Sequence, residues 1–282
     1  MNRLHVNKII PFSSVDGPGN RMAIFLQGCN FNCLYCHNPE TINLCNHCGV
    51  CVTHCPTNAL SLREGRVIHQ PELCIDCDTC INVCPHNSSP KVRSLSSEEI
   101  LLQIESYVHF LSGITVSGGE CTIQHRALIE LFQSVKQHFP KLSCFIDTNG
   151  GVPLYTTSME KFVSSFDKAM LDIKSWEKKS HLLLTGKDPS IVKKNLDFLL
   201  EEDKLFEIRT VIVPELEDHR RLVADISSYV AKKNPSIRYK LIRYRQIGVR
   251  QQVLQSYSPA DEYMEDLSQI AKQNGLIDIL II

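Results

Sequence analysis

The residues best equipped to do chemistry are thiols. Thirteen cysteines stand in this chain of 282 residues, and eleven of them fall between Cys29 and Cys84. Thiols clustered this way in a chain long enough to build its own core read as metal or redox ligands rather than as a disulfide scaffold. The first group is Cys29-x3-Cys33-x2-Cys36. Three thiolates can hold three corners of a cubane cluster, where four protein thiolates are usual. One iron is then left open, as a catalytic metal keeps a position for substrate. A zinc knuckle completed by His37 is the competing use of that spacing.

The other eight clustered cysteines form a repeat. Cys45, Cys48, Cys51, Cys55 and Pro56 recur 29 positions later as Cys74, Cys77, Cys80, Cys84 and Pro85, and Asn58 recurs as Asn87. The spacing is that of bacterial ferredoxins, in which the fourth cysteine of each run ligates the other cluster. One [4Fe–4S] cluster is therefore expected on Cys45, Cys48, Cys51 and Cys84, and a second on Cys74, Cys77, Cys80 and Cys55. The two halves are joined by a stretch that reads as short strands around the Glu64-Gly65 turn. Residues 38–91 read as an insert held together by its metal centres rather than by apolar burial. Cys121 and Cys144 are expected in the core.

Four further groups carry polar chemistry: Ser117-Gly118-Gly119-Glu120, Asp147-Thr148-Asn149-Gly150, Met170-Leu171-Asp172-Ile173-Lys174, and Arg209. Glycines allow close backbone approach, and backbone carbonyls with the Glu120 carboxylate could accept charge-assisted hydrogen bonds from an ammonium. Each group taken alone reads as a turn, a cap or a strand-face ion pair. Their interest comes from the elements that carry them. Strands are expected at 22–27, 114–117, 143–147, 168–173, 206–213 and 238–243. Amphipathic helices are expected between them, among them one opened by the capping box Ser96-Ser97-Glu98-Glu99. Alternation of this kind means a parallel sheet with covering helices. Six strand–helix units are fewer than a closed barrel needs, so the expected fold is α/β, a partial (β/α)6 TIM-like barrel that carries a bacterial-type two-cluster ferredoxin insert. The expected boundaries are 1–37 and 92–282 for the barrel and 38–91 for the insert. Residues 277–282 read equally as a last strand or a helix tail.

Cys29-x3-Cys33-x2-Cys36 after the first parallel strand, with the glycine pair and Glu120 after the second, resembles the radical S-adenosylmethionine (SAM) superfamily. Val15-Asp16-Gly17-Pro18-Gly19-x-Arg21, Asp147-Thr148 and Met170-x-Asp172 narrow the resemblance to its glycyl radical enzyme activating enzymes. The ferredoxin-like insert makes the YjjW family the most similar. The resemblance implies three [4Fe–4S] clusters, SAM, and a monovalent cation, Na+ or K+. It makes Cys29, Cys33 and Cys36 the catalytic cluster's ligands and puts Tyr35 and His37 beside the cofactor. Gly118, Gly119 and Glu120 would hold the methionine amino group. Asp147, Thr148, Asp172 and the Met170 backbone would hold the cation, with Asn149, Ile173, Lys174 and Arg209 bordering the cofactor. Arg245 would stand where the family carries a SAM-contacting histidine. The implied activity is reductive cleavage of SAM to methionine and a 5′-deoxyadenosyl radical that takes a Cα hydrogen from a glycine of a partner enzyme. The partner would be of YjjI type, and flavodoxin or ferredoxin would supply electrons.

Composition bounds the rest. Lys plus Arg is 30 against 31 Asp plus Glu, which supplies no field for nucleic acid or an acidic membrane. No apolar run reaches a membrane span, and the N-terminal residues lack a signal-peptide pattern. A cytoplasmic monomer is expected. Competing readings are a radical enzyme with a small-molecule or other peptide substrate, a ferredoxin-type electron carrier, and a zinc-stapled interaction module.

Overall fold

A computed structural model describes residues 2–250 and 252–282. In chain order its strands are β1 (Leu4–Ser13), β2 (Arg21–Leu26), β3 (Leu60–Arg63), β4 (Arg66–His69), β5 (Arg93–Leu95), β6 (Gly113–Gly118), β7 (Ser143–Thr148), β8 (Lys168–Asp172), β9 (Leu205–Ile212), β10 (Arg238–Arg243) and β11 (Ile279–Ile281). The helices are α1 (Thr79–Asn82), α2 (Ser97–Glu105), α3 (His125–His138), α4 (Glu160–Ser165), α5 (Lys178–Thr185), α6 (Ser190–Glu201), α7 (His219–Ala231) and α8 (Asp261–Gln273).

Nine strands form one sheet in the order β11-β10-β9-β8-β7-β6-β2-β1-β5. From β2 to β11 every neighbouring pair is parallel. All six expected strands are present within about a residue of their expected limits. The first and last strands of the order do not meet, so the sheet stays open. The undecided C-terminal segment is a strand, β11, in register with Tyr239–Leu241. What the sequence reading did not anticipate is β1 with β5, an antiparallel extension beside β2. Leu4 and Val6 are buried with an exposed residue between them. That alternation is the ordinary signature of a one-faced strand, but the bulges around Lys8 and Ser13 break it.

The helices form because their apolar positions recur at helical spacing. Leu128, Leu131, Phe132 and Val135 of α3 are fully buried, as are Leu222, Val223, Ile226 and Val230 of α7 to within a few per cent. The capping box at α2 is complete: Ser96 accepts from the Glu99 amide, and Glu99 accepts from the Ser96 amide. Cys121 and Cys144 are wholly buried.

The cysteine-rich segment is built differently. Its only sheet among the described residues is the β3–β4 hairpin, turned by Glu64 and Gly65, both at positive φ. The sequence repeat is also a backbone repeat. His47, Gly49 and Asn58 adopt left-handed conformations, and so do Asp76, Asp78 and Asn87 at the same offset. Its apolar cluster contains four buried residues, Cys51, Leu60, Val67 and Cys80, and two of these are thiols.

Candidate active site

The C-terminal ends of parallel strands are where open α/β sheets place their ligands. Here they surround a cavity. Cys29, Cys33, Tyr35, Cys36 and His37 line one side. The ends of β6, β7 and β8 contribute Gly118 and Gly119, then Asp147, Thr148 and Asn149, then Asp172 and Lys174; Arg209 of β9 closes the far wall. Asp16 of the Asp-Gly-Pro-Gly loop also reaches it.

The cysteine loop is held by backbone. The Gly28 and Cys29 amides donate to Thr41 and Ile42, and those of Asn32 and Leu34 donate to Thr185 and Leu184. The glycine pair packs against this loop. A Cβ on Gly118 would lie 2.2 Å from the Leu26 amide nitrogen, and one on Gly119 would lie 2.3 Å from the Gly28 carbonyl oxygen. Hydrogen bonds from Gly119 to Leu26 and from Glu120 to Gly28 occupy that space. The second strand end thus packs backbone to backbone beneath the thiols.

Burial pushes the Cys29 thiol up to about 12 and Cys33 to about 11, and raises Cys36. The Lys174 ammonium pulls Cys33 and Cys36 partly back. Thiols in so dry a setting stay protonated unless a metal takes the proton's place. Opposite them, Asp147 accepts from Ser117 Oγ at 2.9 Å and from Arg209 Nη1 at 3.0 Å through one oxygen. Its other oxygen, Oδ1, is buried with no partner. Burial raises the Asp147 carboxyl to about 6 against the pull of Arg209. Arg209 also pairs with Glu207 at 2.6 Å, and Lys240 joins Glu207 at 2.7 Å. Lys240 and Arg209 both donate to the Val15 carbonyl, which ties the Asp-Gly-Pro-Gly loop to this network. Lys174 pairs with Asp172 at 2.6 Å and stands 6.0 Å from the centre of the Tyr35 ring. The Tyr35 hydroxyl is a second buried polar atom without a partner. Two orphaned polar atoms, one on each side of the cavity, mark groups that await a ligand.

Several expected residues occupy other positions. Glu120 does not line the cavity. Its carboxylate is buried and already accepts from the Thr122 amide and hydroxyl, the Thr148 hydroxyl and the Asn149 amide. It therefore fixes the turn after β7 instead of presenting an acceptor. The Thr148 hydroxyl is spent on the same carboxylate. Met170 lies beneath Arg209, with its sulfur 2.7 Å from Nη2. Ile173 is buried, and its carbonyl accepts from Thr210. Arg245 is exposed and lines an adjoining groove, where its carbonyl pairs with His37 Nε2 at 3.0 Å. The arginine that reaches the cysteine loop is Arg250, which is buried and donates to the Cys33 carbonyl at 2.7 Å. It sits in an irregular segment with no periodic signal. Glu207 was legible in principle, as an inward charge two residues before Arg209 in an apolar strand.

The eight remaining cysteines line two small cavities. Cys45, Cys48, Cys51 and Cys84 line one. Cys55, Cys74, Cys77 and Cys80 line the other. Each set takes three thiols from one run and its fourth from the other. Each cavity also holds a buried polar atom with no partner, Ser88 Oγ in the first and His69 Nε2 in the second. No three His, Cys, Asp or Glu side chains among the described residues converge as ligands of a single ion. The thiols of each set stand around a cavity.

The family model described as "4Fe-4S single cluster domain" matches residues 15–181, more than half of the chain. A solved structure of QueE from Escherichia coli covers 99% of this chain and 94% of its own length with a TM-score of 0.54 at 14% identity, a likeness of fold. The chain belongs to the 4Fe–4S single cluster domain family and has the radical SAM fold. Its full-length likeness is to activating enzymes. It is 29% identical over 299 residues, 98% of this chain and 96% of the relative, to a Haemophilus influenzae protein assigned as a glycyl-radical enzyme activating enzyme. It is 28% identical over 246 residues, 86% of this chain and 78% of the relative, to the pyruvate formate-lyase-activating enzyme of Streptococcus mutans. Among the described residues no helix is long and apolar enough to cross a membrane.

Proposed function

We propose that this chain is a radical SAM activase that installs a radical on a glycine of a partner enzyme. The observation that carries the reading is the cavity itself. Three thiols on one loop share a cavity with three carboxylates and two cations, and His37 is tied through Nε2 to the Arg245 carbonyl. Cys29, Cys33 and Cys36 would hold a [4Fe–4S] cluster by three corners. A bound SAM, reduced through that cluster, supplies methionine and a 5′-deoxyadenosyl radical.

The residues of the chain bind and orient. The backbone at Ser117–Gly119 offers carbonyl acceptors for the amino group, and Lys174 and Arg209 offer cationic partners for the carboxylate. The unpartnered Asp147 Oδ1 and the neighbouring Asp172 form the hard-oxygen end of a site for Na+ or K+. Arg209 and Lys240 hold the Asp16 loop at the mouth, where a glycine-bearing segment of the partner would enter. Burial of the thiol loop excludes water from the reacting centre. The cysteine insert would hold two further [4Fe–4S] clusters in crossed ligation. We also read the chain as a cytoplasmic monomer that takes electrons from flavodoxin or ferredoxin and serves a YjjI-type partner.

The test is anaerobic reconstitution with iron and sulfide, followed by SAM and dithionite. 5′-Deoxyadenosine is expected, together with a glycyl radical doublet by EPR when a candidate partner is present. Cys33→Ala should abolish both. Nucleoside release that persists in that variant would sink the reading.

A further inference from the structure

The internal repeat invites a position-by-position comparison of the two cysteine cavities, and the comparison shows a charge present at one and absent at the other. The chain places Leu62 at the repeat position of Lys91, Gly49 at that of Asp78, and Val50 at that of Thr79. Around the cavity of Cys45, Cys48, Cys51 and Cys84 these positions are apolar. The Leu62 side chain lies over Gly49, 3.7 Å from where its Cβ would be. Around the cavity of Cys55, Cys74, Cys77 and Cys80 they are polar. Lys91 lines the cavity with its side chain only 15% exposed, and its ammonium lies 3.1 Å from Asp76 and 2.9 Å from Asp78. Both carboxylates are largely in solvent, at 85% and 60% exposure. The Thr79 hydroxyl lies 3.3 Å from Cys77 Sγ, and the unpartnered His69 Nε2 faces the same space. The first cavity has Ser88 Oγ in that role and no charged side chain on its lining.

The chemistry of an iron–sulfur site translates this asymmetry directly. Reduction of a four-thiolate cubane adds one electron, which takes the iron from two ferric and two ferrous to one ferric and three ferrous and makes the cluster more anionic. A buried cation and hydrogen bonds to sulfur favour the reduced form, while exposed carboxylates are screened by water. We infer that Lys91 differentiates the two cluster sites of the insert, making the Cys55/Cys74/Cys77/Cys80 site the one that accepts an electron first. The inference rests on the reading that the insert holds two cubanes. It adds an order of filling that the cysteine spacing alone, identical in both runs, does not contain.

The experiment is an EPR-monitored redox titration of the reconstituted full chain with dithionite, with iron and sulfide counted first. The site cluster is recognised because its signal changes when SAM is added. In Lys91→Met the higher of the two remaining potentials should fall by about tenfold in the reduction equilibrium, about 59 mV for one electron, while the lower one stays. Lys91→Arg should restore it, and the pair Asp76→Asn with Asp78→Asn should raise it. If Lys91→Met does not retain its clusters, the lysine-to-arginine and aspartate variants decide. Potentials unchanged in all variants, equal movement of both waves, or movement of the lower wave would overturn the assignment. Fewer than about eight irons beyond those lost in Cys33→Ala, by summing cubanes, would instead show that the two-cluster reading of the insert has failed.

Discussion

The three-cysteine cavity and the two four-cysteine cavities use the same ligand and are supported in opposite ways. The first is carved into the end of a nine-stranded sheet, above an apolar cluster that runs from Leu4 to Leu276. Its thiols come from one loop, and the carboxylate of Asp147 opposite them is tied into a network of buried ion pairs. The insert cavities are smaller and have four thiols each. Their apolar support is a small cluster of four buried residues, two of them thiols, with Val52, Cys55, Ile81 and Val83 packed against it. A core that exists without its cofactor can leave a coordination position open, because the metal is not required to hold the fold. A segment with so small an apolar cluster depends, on the proposed reading, on ligation by all four thiols of each cavity.

The largest test of this contrast is metal removal. Anaerobic chelation should unfold residues 43–91 and leave the sheet intact. Hydrogen exchange should show loss of protection confined to the insert, and loss of protection across β6–β10 would break the comparison. Next in size is Glu120→Ala. It leaves four buried donors around Thr122, Thr148 and Asn149 without an acceptor and should cost about 3–5 kcal/mol, read as a lowered midpoint in denaturant. Glu120→Gln should recover part of that loss.

Gly119→Ala comes third. The added methyl would meet the Gly28 carbonyl at 2.3 Å, so the thiol loop must move while the sheet remains. The expected loss is of iron at Cys29, Cys33 and Cys36 only, measured as a fall of about four irons per chain with the insert signals preserved. The smallest effect is protonic and lies in the loop between β9 and α7. Burial lifts the Glu217 carboxyl to about 7, with the Ser175 hydrogen bond pulling it down. The folded chain therefore holds more protons than the unfolded one between the ordinary carboxylate range and that value. Stability should decline as pH rises through this window. Glu217→Gln should flatten that decline, seen as a smaller difference in melting temperature between pH 5 and pH 8.

Much of the framework could be read in advance because it rests on local rules. The six strands with their intervening helices follow from periodicity, and the capping box of α2 follows from four consecutive residues. β1 was missed because bulges spoil its alternation and one of its partners, β5, is distant in sequence. Among the polar groups, residue type was legible and direction was not. Glu120 and Asp147 are both carboxylates at strand ends, yet one is saturated by four donors and the other keeps an oxygen free. Arg245 and Arg250 stand five positions apart in one irregular segment, and only the second reaches the cysteine loop.

Sequence by itself determined the thiol spacings, the repeat and the order of strands, since each depends on residues near one another along the chain. Tertiary structure decided which carboxylates are already spent, and that Lys91 lines one four-cysteine cavity while Leu62 does not line the other. Those outcomes depend on burial and on donors brought from distant strands. The free energy of a polar group is set by the neighbours that replace its water, and one-dimensional spacing does not name them.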